Sequence, residues 1–173
     1  MKRALLALIP LLSTGAMWAP TPGTPEEFAA AATACMEVQN GSAMESSKLR
    51  DRGFIQSEPP AELHGFVEIY QAPNTFIPIT VDNRNNVCAV AWVAEIDDSN
   101  PDLSLRVYDS IKARVAQDFP NTQLGSTRID GNRTTHSLFA GPIITSFMVD
   151  SEEGIVTFTF SALHATRLPP PSS

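Results

Sequence analysis

Val81-Asp82-Asn83-Arg84-Asn85-Asn86-Val87-Cys88-Ala89-Val90-Ala91-Trp92-Val93-Ala94 aligns with Val149-Asp150-Ser151-Glu152-Glu153-Gly154-Ile155-Val156-Thr157-Phe158-Thr159-Phe160-Ser161-Ala162 at an offset of 68 residues, without a gap. In both segments a polar loop is followed by an apolar alternation of period two, the mark of a hairpin strand. Self-similarity at a fixed spacing indicates a repeated architecture. In the second copy Val156, Phe158 and Phe160 alternate with Thr157, Thr159 and Ser161, which identifies the inward face. By correspondence Cys88, Val90 and Trp92 point into the core, while Ala89, Ala91 and Val93 point away from it.

Outward from this pair, the chain reads as helix, four strands, helix, four strands. Thr24, Pro25 and Glu27 form a capping box with proline in the first turn, and the Ala-rich run to Val38 ends at Asn40-Gly41. Phe28, Ala31 or Ala32, Cys35 and Val38 make its apolar stripe. A short helix is expected over Met44–Arg52, stopped by Gly53. Strands are expected over Phe54–Ser57, Gly65–Gln71, Thr75–Asp82 and Val87–Ile96, with Pro78 marking an edge or a bulge. Ser99 or Asn100 caps the next helix, with Pro101 in its first turn; Pro120 ends it, and Tyr108, Ile111, Val115 and Phe119 form its buried stripe. Strands follow over Gln123–Ile129, Thr134–Ala140, Ile143–Asp150 and Ile155–Leu163, with turns at Asp130-Gly131-Asn132 and Glu152-Glu153-Gly154. The expected fold class is α+β: duplicated helix-plus-four-strand halves, about 24–96 and 99–163, forming one curved antiparallel sheet with four-residue hairpin loops and its helices on one face.

The 173 residues are 43% hydrophobic and 18% charged, enough apolar content for a core and too much for a disordered chain. Lys2 and Arg3, the apolar run Ala4–Leu12 and the small residues after it have the order of a signal peptide, residues 1–19, cleaved after Ala16 or Ala19. A single α+β domain over 20–167 follows, then a loose Pro-rich tail over 168–173. The formal charge of −7 argues against nucleic acid and against docking on anionic membranes, and no transmembrane segment is expected after signal removal. Cys35, on the buried stripe of the first helix, and Cys88, on the inner face, are expected to form a disulfide in an oxidising compartment.

Catalytic patterns are sparse. No Gly-x-Ser-x-Gly motif is present, and His64, His136 and His164 have no metal-ligand spacing. The plain reading is rim or surface histidines, with no cofactor and no metal. Asp97-Asp98, Glu152-Glu153 and Asp82–Asn86 lack the spacing of a calcium loop, and turn chemistry explains the hairpin tips.

The signal region, the helix Phe28-Ala29-Ala30-Ala31-Ala32-Thr33-Ala34-Cys35, the step Leu49-Arg50-Asp51-Arg52-Gly53-Phe54 and Val87-Cys88-Ala89-Val90-Ala91-Trp92 carry a general resemblance. The chain resembles the small exported proteins of unknown function common in Gram-negative, especially alphaproteobacterial, genomes. That resemblance implies an exported location and a disulfide, and no activity.

The expectation is therefore a non-catalytic ligand- or protein-binding module of the periplasm or the extracellular space. Its binding face is Thr157, Thr159 and Ser161 beside Ala89, Ala91 and Val93. The rivals are an envelope inhibitor or immunity-type protein with a protein partner, and a hydrolase with a dispersed site built on His64, His136 or His164.

Overall fold

The computed structural model describes residues 22–72, 75–98 and 100–167. The signal peptide and the tail 168–173 expected from the sequence lie outside them. Helix α1 (Pro25–Gln39) and a short α2 (Ser47–Asp51) precede β1 (Ile55–Ser57), β2 (Val67–Gln71), β3 (Pro78–Asp82) and β4 (Val87–Glu95). Helix α3 (Leu103–Asp118) precedes β5 (Gln123–Asp130), β6 (Arg133–Ala140), β7 (Ile143–Glu152) and β8 (Ile155–His164). The fold is α+β: the strands make one antiparallel sheet in the order β1-β2-β3-β4-β8-β7-β6-β5.

Two meanders thus meet at β4 and β8, which pair over nine residues from Val87–Leu163 to Glu95–Ile155. Cys88, Val90, Trp92 and Ala94 share a core with Val156, Phe158, Phe160 and Ala162, and with residues of α1 and α3. The inward parity inferred from the Phe/Thr alternation is therefore the observed one. The hairpins flanking the two strands differ, however. Asn83–Asn86 form a four-residue loop between Asp82 and Val87, whereas Glu153-Gly154 alone join Glu152 to Ile155. Val81 stands opposite Cys88, but Val149 stands opposite Phe158. The ungapped sequence match is thus displaced by two residues in the ladder, a shift that preserves the face of every side chain because the strand period is two.

Helix α1 begins with the expected capping box: Glu27 N donates to Thr24 Oγ1 at 3.2 Å, and Thr24 N donates to the Glu27 carboxylate at 2.8 Å. Its buried surface is wider than one stripe and includes Ala29, Thr33, Ala34 and Met36, because α1 lies against both the sheet and α3. No left-handed glycine ends it. Lys48 Nζ instead donates to the carbonyls of Glu37 (3.2 Å) and Asn40 (3.0 Å), so a cation from α2 meets the negative end of the helix.

Other boundaries also shift. The short helix expected over Met44–Arg52 contracts to α2, ended by Gly53 at φ +85°. Helix α3 starts two residues after Pro101; Asn100 does not cap it, and Ser99 lies outside the described residues. Asn100 Oδ1 accepts from Asp97 N, and its amide donates to the carbonyl of Glu95. Leu103, Val107, Ile111 and Val115 form the buried face of α3; Tyr108 and Phe119 are half-buried at its margin. Pro78 opens β3, an interior strand. The first residue of a strand tolerates the missing donor, so neither an edge nor a bulge is needed.

Cys35 and Cys88 are bonded, with Cα atoms 5.3 Å apart. The bridge ties α1 to the middle of the sheet. It is compatible with an oxidising, extracellular compartment. Among the described residues no helix is long and apolar enough to cross a membrane.

Candidate functional site

The sheet has one face turned to the helices and one turned away. Ala89, Ala91 and Val93 of β4 lie on the far face, directly paired with Ser161, Thr159 and Thr157 of β8. The six residues singled out in the sequence therefore form three adjacent cross-strand pairs at the centre of the sheet. Ala89 and Val93 are buried, and Ala91, Thr157, Thr159 and Ser161 are half-buried.

The ladder continues these pairs across the sheet. Ala89 and Ser161 are followed by Ser146 of β7 and Ser137 of β6, a row of small and hydroxyl side chains. One step along the strands, Val87, Leu163, Ile144 and Phe139 form a parallel apolar row. On the other side, Ala91 and Thr159 continue through Met148 to Thr135. Beyond it, Val93 and Thr157 lead to the ion pair of Asp150 with Arg133, whose Nε donates at 3.0 Å. Side chains two residues apart on a strand are about 7 Å apart. The face is therefore banded, with an apolar row beside a hydroxyl row. No hydrogen bond joins the hydroxyls of Thr157, Thr159, Ser161, Ser146 or Ser137 to another described residue. They are free to donate to and accept from a bound group.

The histidines do not assemble. His64 Nε2 lies 2.7 Å from the Pro59 carbonyl and 3.7 Å from Glu58; His164 Nδ1 lies 2.8 Å from the Thr166 hydroxyl. His136 sits on the helix side of β6, stacked on Tyr108 with centroids 3.9 Å apart, and its Nδ1 is 2.9 Å from the Thr127 hydroxyl. Burial lowers its pKa, and the Lys112 ammonium lowers it further. His136 is half-buried, on the inner face of β6 that Thr134 and Leu138 share.

A shallow depression of about 550 Å³ lies beside β1 and β2, lined by Glu58, His64, Glu68 and Asn83 among others. Its central carboxylate is already engaged. Burial raises the Glu68 pKa, but hydrogen bonds from Tyr70, Asn83 and Ser46 and the charge of Arg50 outweigh it and hold the group below its ordinary value. Arg50 in turn donates to the Tyr70 hydroxyl at 3.1 Å, so the cluster secures α2 to β2. Asp82 is likewise consumed by its own loop, accepting from the backbone N–H of Arg84 and Asn85 and from the Asn85 amide. Turn chemistry accounts for that tip.

No protein-family model matches this chain, and no curated protein is significantly similar to it in sequence.

Proposed function

We propose that the protein is a non-catalytic binding module, exported to the periplasm or beyond, that takes a ligand or a protein segment on the sheet face away from its helices. The observation that supports this is the banding of that face. A row of unpaired hydroxyls from Ser161, Ser146 and Ser137 runs beside the apolar row Val87, Leu163, Ile144 and Phe139. An extended amphipathic ligand lying across the strands would bury its apolar edge on one row and hydrogen-bond with the other. The small side chains of Ala89, Ala91 and Ser161 permit close approach. The reading includes a duplicated origin of the two halves, with curvature of the sheet shaping the face; support comes from the repeated element order and from Ala91 and Thr159, which are equivalent in the repeat and paired across β4 and β8. The signal-peptide pattern and the disulfide support export.

The test is a screen of amphipathic peptides, glycans and fatty acids by NMR, with methyl labels on Ala89, Ala91 and Val93. Hits should perturb these methyls and lose binding in Ser161→Arg. Hits that perturb only residues elsewhere, or a screen without hits, would overturn the assignment of the face. An inhibitor acting on a partner enzyme would use the same surface and would show as inhibition lost in the same variant.

A further inference from the structure

The two edges of the sheet are unlike. β1 is three residues long and runs into Pro59-Pro60, a short edge of the kind that discourages pairing. β5 is eight residues long, contains no proline and is exposed at every residue. Helix α2 contacts β1, whereas among the described residues the extensive contacts of β5 are those with β6. Leu124 and Ile129 of β5 are 66% and 73% exposed, and Leu105 on α3 is 60% exposed.

We propose that a second copy of this chain pairs antiparallel along β5, joining two sheets edge to edge. This rests on the strand itself and not on the binding face proposed above. The β5 ladder carries a bulge: Leu124 pairs with Leu138 and Thr127 with His136, so Gly125 and Ser126 together oppose Ser137. The bulge places Leu124, Thr127 and Ile129 on one side, facing the helix layer. Counted as one step, it makes Thr127 the midpoint of the strand. A two-fold axis through Thr127 then sets Leu124 opposite the partner's Ile129, and Ile129 opposite the partner's Leu124. It sets Gln123 opposite the partner's Asp130. The surface is self-complementary, as a closed two-fold contact requires. No like charges stand directly opposite, since Arg128 faces the partner's bulge and is held 3.7 Å from its own Asp130. The strand's charges sum to zero in a chain of formal charge −7, so two acidic copies approach along this edge with little repulsion from the strand.

Sedimentation equilibrium of the purified chain at concentrations on the order of 100 μM should give twice the monomer mass. The variant Leu124→Lys with Ile129→Lys changes only exposed side chains; it should melt as the parent does and sediment as a monomer. Opposed residues in an antiparallel pair have Cα atoms about 4.5–5.5 Å apart, within disulfide reach. Mixing Leu124→Cys and Ile129→Cys chains under mild oxidant should therefore give a mixed covalent dimer, in excess over either chain alone. A monomeric parent chain, a double-lysine variant that still dimerises, or no preference for the mixed disulfide would each overturn the proposal.

Discussion

Ala91 of β4 stands directly opposite Thr159 of β8, and the two residues are separated by the 68 positions at which the hairpin sequences match. On a duplicated origin, each occupies the other's place in its own half. The cross-strand pair they share is then interchangeable, although Thr159 also faces Met148 of β7 while Ala91 flanks the start of β3. Exchanging them, Ala91→Thr with Thr159→Ala, keeps the same cross-strand pair. The expected change in stability is within about 0.5 kcal/mol, although each single variant alters the pair. Chemical denaturation of the two single variants and the double variant checks this. A double variant as destabilised as the sum of costly singles would argue against equivalence.

The Cys35–Cys88 bridge closes a loop across 53 positions and pins α1 to the sheet's central strand. Restricting the unfolded chain in this way is worth on the order of 4 kcal/mol, an upper value because native strain subtracts from it. Replacing both cysteines with Ala adds the loss of buried volume. The denaturant midpoints of the double variant and of the reduced parent should both fall below that of the oxidised parent. A midpoint unaffected by reduction would show that the bridge contributes little.

His136 links stability to pH. Its folded pKa lies below the ordinary histidine value of about 6.5. The unfolded chain therefore binds the proton more readily. The contribution is fully present above pH ~6.5 and is lost as pH falls through the lowered folded value. The groups facing the ring are Tyr108 and Lys112 from α3, Thr127 from β5 and Phe147 from β7. Melting from pH 8 down to pH 5.5 should show a decline in the parent that is reduced in His136→Phe, which retains the stack. Lys112→Met should raise the ring's pKa in an NMR titration. An unchanged titration would mean that burial alone sets it.

Gln39 is fully buried at the end of α1 and joins three parts of the chain. Its amide donates to the carbonyls of Asn86 (3.0 Å) and Ala162 (3.2 Å), and its Oε1 accepts from Arg167 at 2.7 Å. Arg167 also donates to the Gly41 carbonyl. Removing Arg167 leaves a buried acceptor unpaired, at a cost of about 1–3 kcal/mol. Arg167→Ala and Gln39→Ala should therefore be markedly non-additive in a double-mutant cycle. Additive losses would show that the two side chains act separately.

What could be read from the sequence was what repeats within a few residues. The Thr24–Glu27 cap, the apolar spacing of α1, the Phe/Thr alternation of β8 and the turn at Gly131 involve neighbours close along the chain, where backbone geometry alone dictates the pattern. The same periodicities, together with an even cysteine count and the expected export, pointed to the disulfide: one put Cys35 on the helix's inner stripe, the other put Cys88 on the strand's inner face. The six residues of the candidate face followed from the parity of two strands.

Tertiary structure decided which strands became neighbours. Pairing β4 with β8 joins segments about seventy residues apart, and no local preference specifies that choice. It turned two separate alternations into the rows Ala89–Ser161–Ser146–Ser137 and Val87–Leu163–Ile144–Phe139. Packing also made Pro78 an interior residue, ended α1 with Lys48 and Arg167 in place of a glycine, stacked His136 on Tyr108 and left every residue of β5 exposed. Each of these depends on which surfaces meet once the chain is compact. Sequence periodicity determines the face on which a side chain lies, but only the assembled layers determine whether that face is covered.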